Sequence, residues 1–237
     1  MTARTRHAPS VNVDYVAVDD EPDHVEQFRS QSMRVYLAAI LPGGATMYHR
    51  HERDTFYVIL AGGRFRSDEP GRQRSRTRVG RSVPRPRQLL WLICRILSGG
   101  WLRIPTGTLL VQPHTAHPLI HRVHADRRND SPVLMLGIEP RKEGDRRAAA
   151  LETGRALRLE HEHPGLNVYR LRLHPGERFI VPALRSGGVL VATAGEGSLN
   201  GRRVRAHPLH PAAIPLDPGS TAIRATGQSL SALLFAL

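Results

Sequence analysis

Two histidines with strand spacing are the residues of this chain best suited to chemistry. His49 and His51 lie two positions apart in a short stretch that reads as a strand. Because residues i and i+2 of a strand point to the same face, both imidazoles would project to one side of a sheet. Neutral imidazole binds iron, manganese, nickel, copper and zinc. The pair therefore predicts part of a divalent transition-metal site, and the alternative is two surface histidines in a loop.

Short apolar segments separated by glycine and proline must position this pair. Segments 34–41, 46–50 and 55–60 are rich in β-branched, aromatic and other apolar residues, and glycine-containing turns follow two of them. The same cadence runs from 101 to 139, whereas the polar segment 19–28 reads as a turn or short helix. Short strands punctuated in this way are typical of a barrel or sandwich.

The order of elements then repeats. Pro42-Gly43 and Ala61-Gly62 enclose the histidine pair, and Pro175-Gly176 and Ala194-Gly195 recur later in the chain at the same separation. Asn200-Gly201 predicts a tight hairpin in the second copy. Repetition at a fixed spacing indicates one supersecondary module used twice.

The first histidine pair lies in a pattern that resembles the first motif of the cupin family. Gly43, His49, His51 and Gly62 match the two glycines and two histidines of that motif. Its acidic ligand is replaced by Thr55, which is a poor ligand. The resemblance implies that the histidine pair faces the inside of a closed barrel and binds a metal.

The second cupin motif matches at Gly107 and Pro113 and departs after them. His117 comes one position early, and His121 is the competing candidate. The two are four positions apart, so both could face the barrel interior. The resemblance implies that one of them completes a three-histidine site with open coordination positions, which metal catalysis requires.

Other polar residues near these motifs are not assigned to the metal site. Asp54 is out of phase with the histidine pair and should point away unless a bulge intervenes. For His114 and His124 we favour positions on a strand face or at the rim. Tyr57 and Glu139 are assigned no role, because packing or solvation explains most such residues.

The resemblance implies an all-β protein of two double-stranded β-helix barrels of the cupin or jelly-roll type. We predict an N-terminal barrel over 1–140 with a basic, partly helical insert at 64–100. A linker at 141–160 and a degenerate C-terminal barrel at 161–237 would follow.

The resemblance leaves two functions open. The first is a metal-binding cupin that acts on a small polar or anionic molecule, of the dioxygenase or isomerase type. The second is a non-catalytic, ligand-binding or oligomerising scaffold without metal. Aligning the two copies on their turns puts Pro182 and Leu184 where the first copy has its histidine pair, so any metal site belongs to the first barrel.

The insert carries most of the positive charge. Nine arginines against Asp68 and Glu69 give residues 64–87 a charge of +7, out of +13 for the chain. The apolar run 89–97 predicts a two-turn helix that covers a barrel mouth or pairs with another subunit in a homodimer. Contact of residues 64–97 with nucleic acid or a membrane is the less favoured alternative. Only Phe65 lies among the arginines, so aromatic residues for base stacking are missing, and the apolar run has only Arg95 to form the polar face of a membrane-surface helix.

The composition also bears on the compartment. Cys94 is the only cysteine, so an intramolecular disulfide is excluded. The first residues contain no apolar core of a secretory signal, and no apolar run approaches the roughly 20 residues of a membrane-spanning helix. We therefore expect a cytoplasmic protein.

Overall fold

A computed structural model of the chain describes residues 13–71, 78–80, 100–141, 148–184, 186–207 and 213–237. Nearly all regular structure in these residues is β, apart from a 3-10 helix at Val18–Asp20. The strands of the first half are β1 Val16–Ala17, β2 His24–Arg29, β3 Met33–Ile40, β4 His49–His51, β5 Thr55–Ala61, β6 Gly63–Asp68, β7 Arg78–Val79, β8 Leu102–Ile104, β9 Leu109–Gln112, β10 Leu119–Ala125 and β11 Val133–Pro140. They form a five-stranded sheet, β1-β4-β10-β6-β8, and a six-stranded sheet, β2-β3-β11-β5-β9-β7.

The second half has the same plan. Its strands are β12 Leu157–His163, β13 Leu166–Leu173, β14 Arg178–Val181, β15 Gly188–Ala194, β16 Glu196–Leu199, β17 Arg202–Arg205, β18 Ala213–Leu216, β19 Thr221–Ala225 and β20 Leu230–Ala236. They form the sheets β12-β13-β20-β15-β18 and β14-β19-β16-β17. Apart from β1 and β7, the strand order within each sheet is that of the first half, so the predicted all-β, two-barrel fold is confirmed.

The repeat is visible in register and in turns. Strands β3 and β13 are separated by the same number of positions at both ends, and β5 and β15 keep that same offset. Gly43 and Gly176 both adopt a positive φ, 79° and 81°, that favours glycine. Their amide groups donate to the carbonyl oxygens of Ala125 and Ala225, each at 3.1 Å. The offset between the copies becomes smaller after β6, because the arginine-rich segment lengthens the first copy.

Three apolar clusters form the core, and one of them contains residues of both halves and packs the halves against each other. The residues of strand β5 alternate between the cluster shared by the two halves and the cluster inside the first barrel. Tyr57 and Ile59 point into the first barrel, whereas Phe56 and Val58 pack against the second half, where Phe56 meets the ring of Phe235 at 6.2 Å. A third cluster fills the second barrel. A strand buried on both faces reads as a continuous apolar run, which explains the clear signal of segment 55–60.

The two outer strands β2 and β12 differ from the sequence predictions. Residues 24–29 form β2, although 19–28 reads as a turn or short helix. Strand β12 begins at Leu157, inside the segment 141–160 predicted as a linker. Both strands lie at a sheet edge and expose polar residues, so neither has the apolar pattern by which strands are recognised.

The basic insert begins later than predicted. Residues 63–68 form β6, which pairs with β10 and β8, so the arginines at its start belong to the barrel. The predicted helix at 89–97 lies outside the described residues, as does Cys94. Within the described ranges, no helix combines the length and apolar character needed to cross a bilayer.

Candidate metal centre

Three histidines meet inside the first barrel. His49 and His51 project from β4 to the same face, and His121 on the neighbouring antiparallel strand β10 stands directly opposite His49. Their possible ligand atoms all lie within 4.8 Å of one another. The three side chains are buried, with exposed fractions of 1%, 0% and 4%. The strand spacing of the first pair and the register of β4 on β10 together produce this cluster.

The two candidates for a third histidine are separated by the start of β10. His117 lies in the turn before this strand, where its side chain is exposed and its amide donates to the carbonyl of Pro113 at 3.1 Å. Strand β10 begins at Leu119, so the spacing between the two histidines spans a turn and a strand. The structure therefore brings His121 to the pair and leaves His117 outside.

Hydrogen bonds fix the orientation of two of the rings. His49 donates through Nδ1 to the carbonyl oxygen of Met47 at 2.9 Å. Nδ1 of His121 lies 3.0 Å from the Ser67 hydroxyl, and its Nε2 has no hydrogen-bond partner although it is buried. The tautomer of His49 leaves the lone pair on Nε2, which is the nitrogen state that metal binding requires.

The third ring has a tyrosine on one side and a carboxylate on the other. Nε2 of His51 lies 3.3 Å from the Tyr57 hydroxyl, which donates a hydrogen bond or accepts one according to the tautomer. Nδ1 has no hydrogen-bond partner and lies 3.8 Å from a carboxylate oxygen of Glu139. The Tyr57 hydroxyl in turn lies 3.3 Å from that of Tyr36. Two residues without a role in the sequence analysis therefore border the cluster.

Burial keeps the imidazoles neutral. Desolvation lowers the pKa of His49 from 6.5 to about 4. Burial, together with the neighbouring histidines, lowers the pKa of His51 and of His121 well below the ordinary value. At neutral pH the three rings therefore carry no charge, and their lone pairs are available to a cation.

Two further histidines surround the cluster. His114 stacks on His51 with ring centroids 4.7 Å apart, and it donates through Nε2 to the side-chain oxygen of Gln112 at 2.8 Å. It is buried in the turn that follows β9, whereas the sequence predicted a position on a strand face or at the rim. His24 on β2 lies 4.8 Å from His49, and burial lowers its pKa to about 3. The sequence offered no signal for His24, because its segment does not read as a strand.

Buried carboxylates approach the cluster from two sides. Glu21 and Glu139 are 2% and 1% exposed, and burial raises the pKa of both. Glu139 accepts hydrogen bonds from Thr55 and Arg34, each at 3.4 Å. Thr55, at the place of the acidic ligand in the motif, is therefore a hydrogen-bond partner of a carboxylate from another strand.

Asp54 faces away from the cluster, as its phase in the strand predicts. Its carboxylate lies 2.9 Å from Nε2 of His163 in the second half, and it accepts the amide of Thr115 at 2.8 Å. Burial alone would raise the pKa of Asp54, but these hydrogen bonds lower it overall. Asp54 therefore connects the two halves.

The second barrel has an apolar interior where the first has its histidines. Leu184, which corresponds to His51, is 1% exposed and packs in the apolar cluster of that barrel. Among the residues that the structure describes, the three histidines of the first barrel are the one group of at least three metal-binding side chains. The chain therefore has a two-barrel fold of the cupin type, and its first barrel contains three histidines that could hold a metal ion.

Comparison with known proteins supports this class at the level of the fold. No family model matches the chain, and no curated protein matches it either. Among solved structures, a mutant salicylate 1,2-dioxygenase from Pseudoaminobacter salicylatoxidans in complex with gentisate has a TM-score of 0.56 and 13% identity, covering 93% of this chain and 75% of its own. YhhW from Escherichia coli has a TM-score of 0.54 and 14% identity, covering 87% and 82%.

A cupin 2 conserved barrel domain protein from Leptotrichia buccalis is also similar, with a TM-score of 0.46 and 10% identity over 90% of this chain and 88% of its own. The salicylate 1,2-dioxygenase and YhhW structures, both with TM-scores above 0.5, confirm, for the fold, the resemblance inferred from the sequence motifs. At these identities the likeness does not extend to substrate or reaction.

Proposed function

We propose that this protein is a metal-dependent enzyme that binds a divalent transition metal in its first barrel through His49, His51 and His121. The observation that carries the proposal is the convergence of three buried, neutral imidazoles with ligand atoms within 4.8 Å of one another. The unpartnered Nε2 of His121 also supports it, because a buried polar atom without a partner is costly unless something binds there. Three nitrogen ligands leave coordination positions open for a substrate.

A bound ion would supply Lewis acidity and a place for oxygen atoms of the substrate or of dioxygen to bind. The chain would contribute orientation and a dry environment. Hydrogen bonds to Met47 and Ser67 orient two of the rings, and the burial of all three histidines separates them from bulk solvent. The Tyr57 hydroxyl, next to His51, is suited to hold a substrate oxygen through a hydrogen bond.

We propose a small polar or anionic substrate and a dioxygenase-type reaction, with isomerisation as the alternative chemistry. A metal ion with three neutral ligands leaves positive charge in the pocket, which favours an anion. The similar salicylate 1,2-dioxygenase is described in complex with gentisate, an aromatic carboxylate. Salicylate and gentisate are therefore the first compounds to test, by oxygen consumption and by the change in ultraviolet absorbance.

The competing proposal is a non-catalytic scaffold without metal. The apolar interior of the second barrel and the threonine at position 55 favour it. In that case the buried histidines would be packing residues of the first barrel, and their removal would change stability without changing metal content.

Elemental analysis of the purified protein separates these proposals. We expect about one transition-metal ion per chain in the wild type and a loss of it in the variants His49→Ala, His51→Ala and His121→Ala. The exposed His117 provides a matched control, because His117→Ala removes an imidazole outside the cluster. A folded wild type that contains no metal, and takes up none when it is added, would support the scaffold instead.

A further inference from the structure

Two of the three clustered histidines have a buried carboxylate beside Nδ1. Glu21 lies in the segment between the 3-10 helix and β2, and Glu139 lies on β11. A carboxylate oxygen of Glu21 is 3.7 Å from Nδ1 of His49, and one of Glu139 is 3.8 Å from Nδ1 of His51. Neither glutamate belongs to the motif that contains the histidines.

Only one of the two carboxylate oxygens of Glu21 accepts hydrogen bonds. Its Oε1 accepts the amides of Met47 at 3.3 Å and Asp23 at 3.4 Å. Its Oε2, which faces His49, is buried without a hydrogen-bond partner. A buried carboxylate oxygen in this position is costly unless positive charge develops nearby. The two backbone hydrogen bonds orient the Glu21 carboxylate so that its Oε2 faces Nδ1 of His49.

Glu139 is not needed to neutralise the arginine that it contacts. Arg34 is 1% exposed and also forms ion pairs with Asp19 and Glu26. The other oxygen of Glu139 accepts from the Thr55 hydroxyl and lies next to His51. A neutral side chain at 139 would therefore leave Arg34 paired, and the placement of a carboxylate beside the histidine needs another reason.

We propose that Glu21 and Glu139 are positioning residues of the metal centre, one behind His49 and the other behind His51. This inference rests on the proposed metal-binding function. A carboxylate behind a ligating imidazole raises its basicity and offsets part of the charge of a divalent ion. Glu139 can also fix the ring of His51, whereas the Nδ1 proton of His49 is already bound by the Met47 carbonyl. The two glutamates would place negative charge beside the ligating histidines, whereas Thr55, at the place of the acidic ligand in the motif, provides none.

The test is a titration of the metal-free, full-length protein with Co²⁺, followed by calorimetry and by the visible absorbance of the bound ion. We expect Glu139→Gln and Glu21→Gln each to weaken Co²⁺ binding by about 10- to 100-fold, as outer-shell substitutions typically do. The absorbance of bound Co²⁺ should also shift, because the rings are held differently. A merely structural role would not move either quantity in a variant with the wild-type fold.

Glu160→Gln is the matched control. Glu160 is also buried, at 2% exposed, but it pairs with Arg170 in the second half. Its substitution should lower stability while leaving Co²⁺ affinity and absorbance unchanged. Glu139→Asp, which keeps the charge, should restore part of the affinity lost in Glu139→Gln. Circular dichroism of each metal-free variant verifies the fold, and the two glutamates provide independent tests if one variant does not fold.

The outcomes distinguish this inference from the proposed function. A wild type that binds no Co²⁺ would overturn both. A wild type that binds Co²⁺ with the affinity and spectrum of the folded glutamine variants would overturn the positioning role alone and leave the three-histidine site standing.

Discussion

Acidification should destabilise the metal-free protein, because the buried histidines resist protonation. The folded pKa of His49 is about 4 against 6.5 when exposed, with burial as the main cause. The unfolded chain therefore binds a proton more readily than the folded chain between these values. The contribution of His49 is fully present above pH 6.5 and is lost as the pH falls towards 4. From pH 7.5 to pH 5 this loss amounts to roughly 2 kcal/mol of unfolding free energy.

The other buried groups shape the same curve. His24 and His114, with pKa values of about 3 and about 4, act in the same direction as His49. Glu21 and Glu139 have raised pKa values, so their contribution is present below about pH 4.5 and is lost as the pH rises. As the pH falls, these two glutamates therefore offset part of the stability that the histidines lose. Stability should therefore fall most steeply midway between pH 6.5 and pH 4, where the unfolded histidines are protonated and the folded ones are not.

The assay is urea unfolding at pH 7.5, 6.5, 5.5 and 5.0 in the presence of a chelator, for the wild type and for His49→Asn. The variant lacks one titrating group, so its loss of stability between pH 7.5 and 5 should be smaller by about 2 kcal/mol. His117→Asn, which removes an exposed imidazole outside the cluster, is the control substitution. Equal slopes for the wild type and His49→Asn would show that His49 does not contribute to the pH dependence.

Three further predictions concern the fold and its contacts. Phe235→Ala should destabilise the protein by about 3–5 kcal/mol, because this ring is fully buried between the halves. A single cooperative unfolding transition, seen by both fluorescence and circular dichroism, would show that the halves depend on each other. Gly195→Ala should be far more damaging than Gly176→Ala in thermal unfolding, although both glycines have positive φ. A Cβ at 195 would overlap the Ser229 carbonyl oxygen, whereas at 176 it meets open space and the cost is about 1–2 kcal/mol. Asp54→Asn should lower the free energy of unfolding by about 1–3 kcal/mol at pH 7. The difference from the wild type should shrink as the pH falls through the lowered pKa of Asp54, and urea unfolding at pH 7 and at acidic pH measures it.

Features that depend only on residues adjacent in the sequence can be read from the sequence. Alternation in a strand places His49 and His51 on one face whatever surrounds them. The turn glycines at 43 and 176 mark the two copies, because a positive φ is a local requirement that glycine meets without strain. Continuous apolar runs such as 55–60 predict strands with both faces buried. The all-β class and the duplicated barrel follow from signals of this kind.

The tertiary structure alone decided which distant residues meet. The register of β10 on β4 brings His121 rather than His117 to the pair, and no local pattern encodes that register. Glu21, His24 and Glu139 reach the cluster only because the chain folds back on itself. Edge strand β2 contains His24 and lacks an apolar pattern. Strand β11 is recognised as a core strand from its apolar residues, and this pattern does not reveal a role for Glu139. Strand identity is a local property, whereas convergence on a site depends on pairing between segments that are far apart in the sequence.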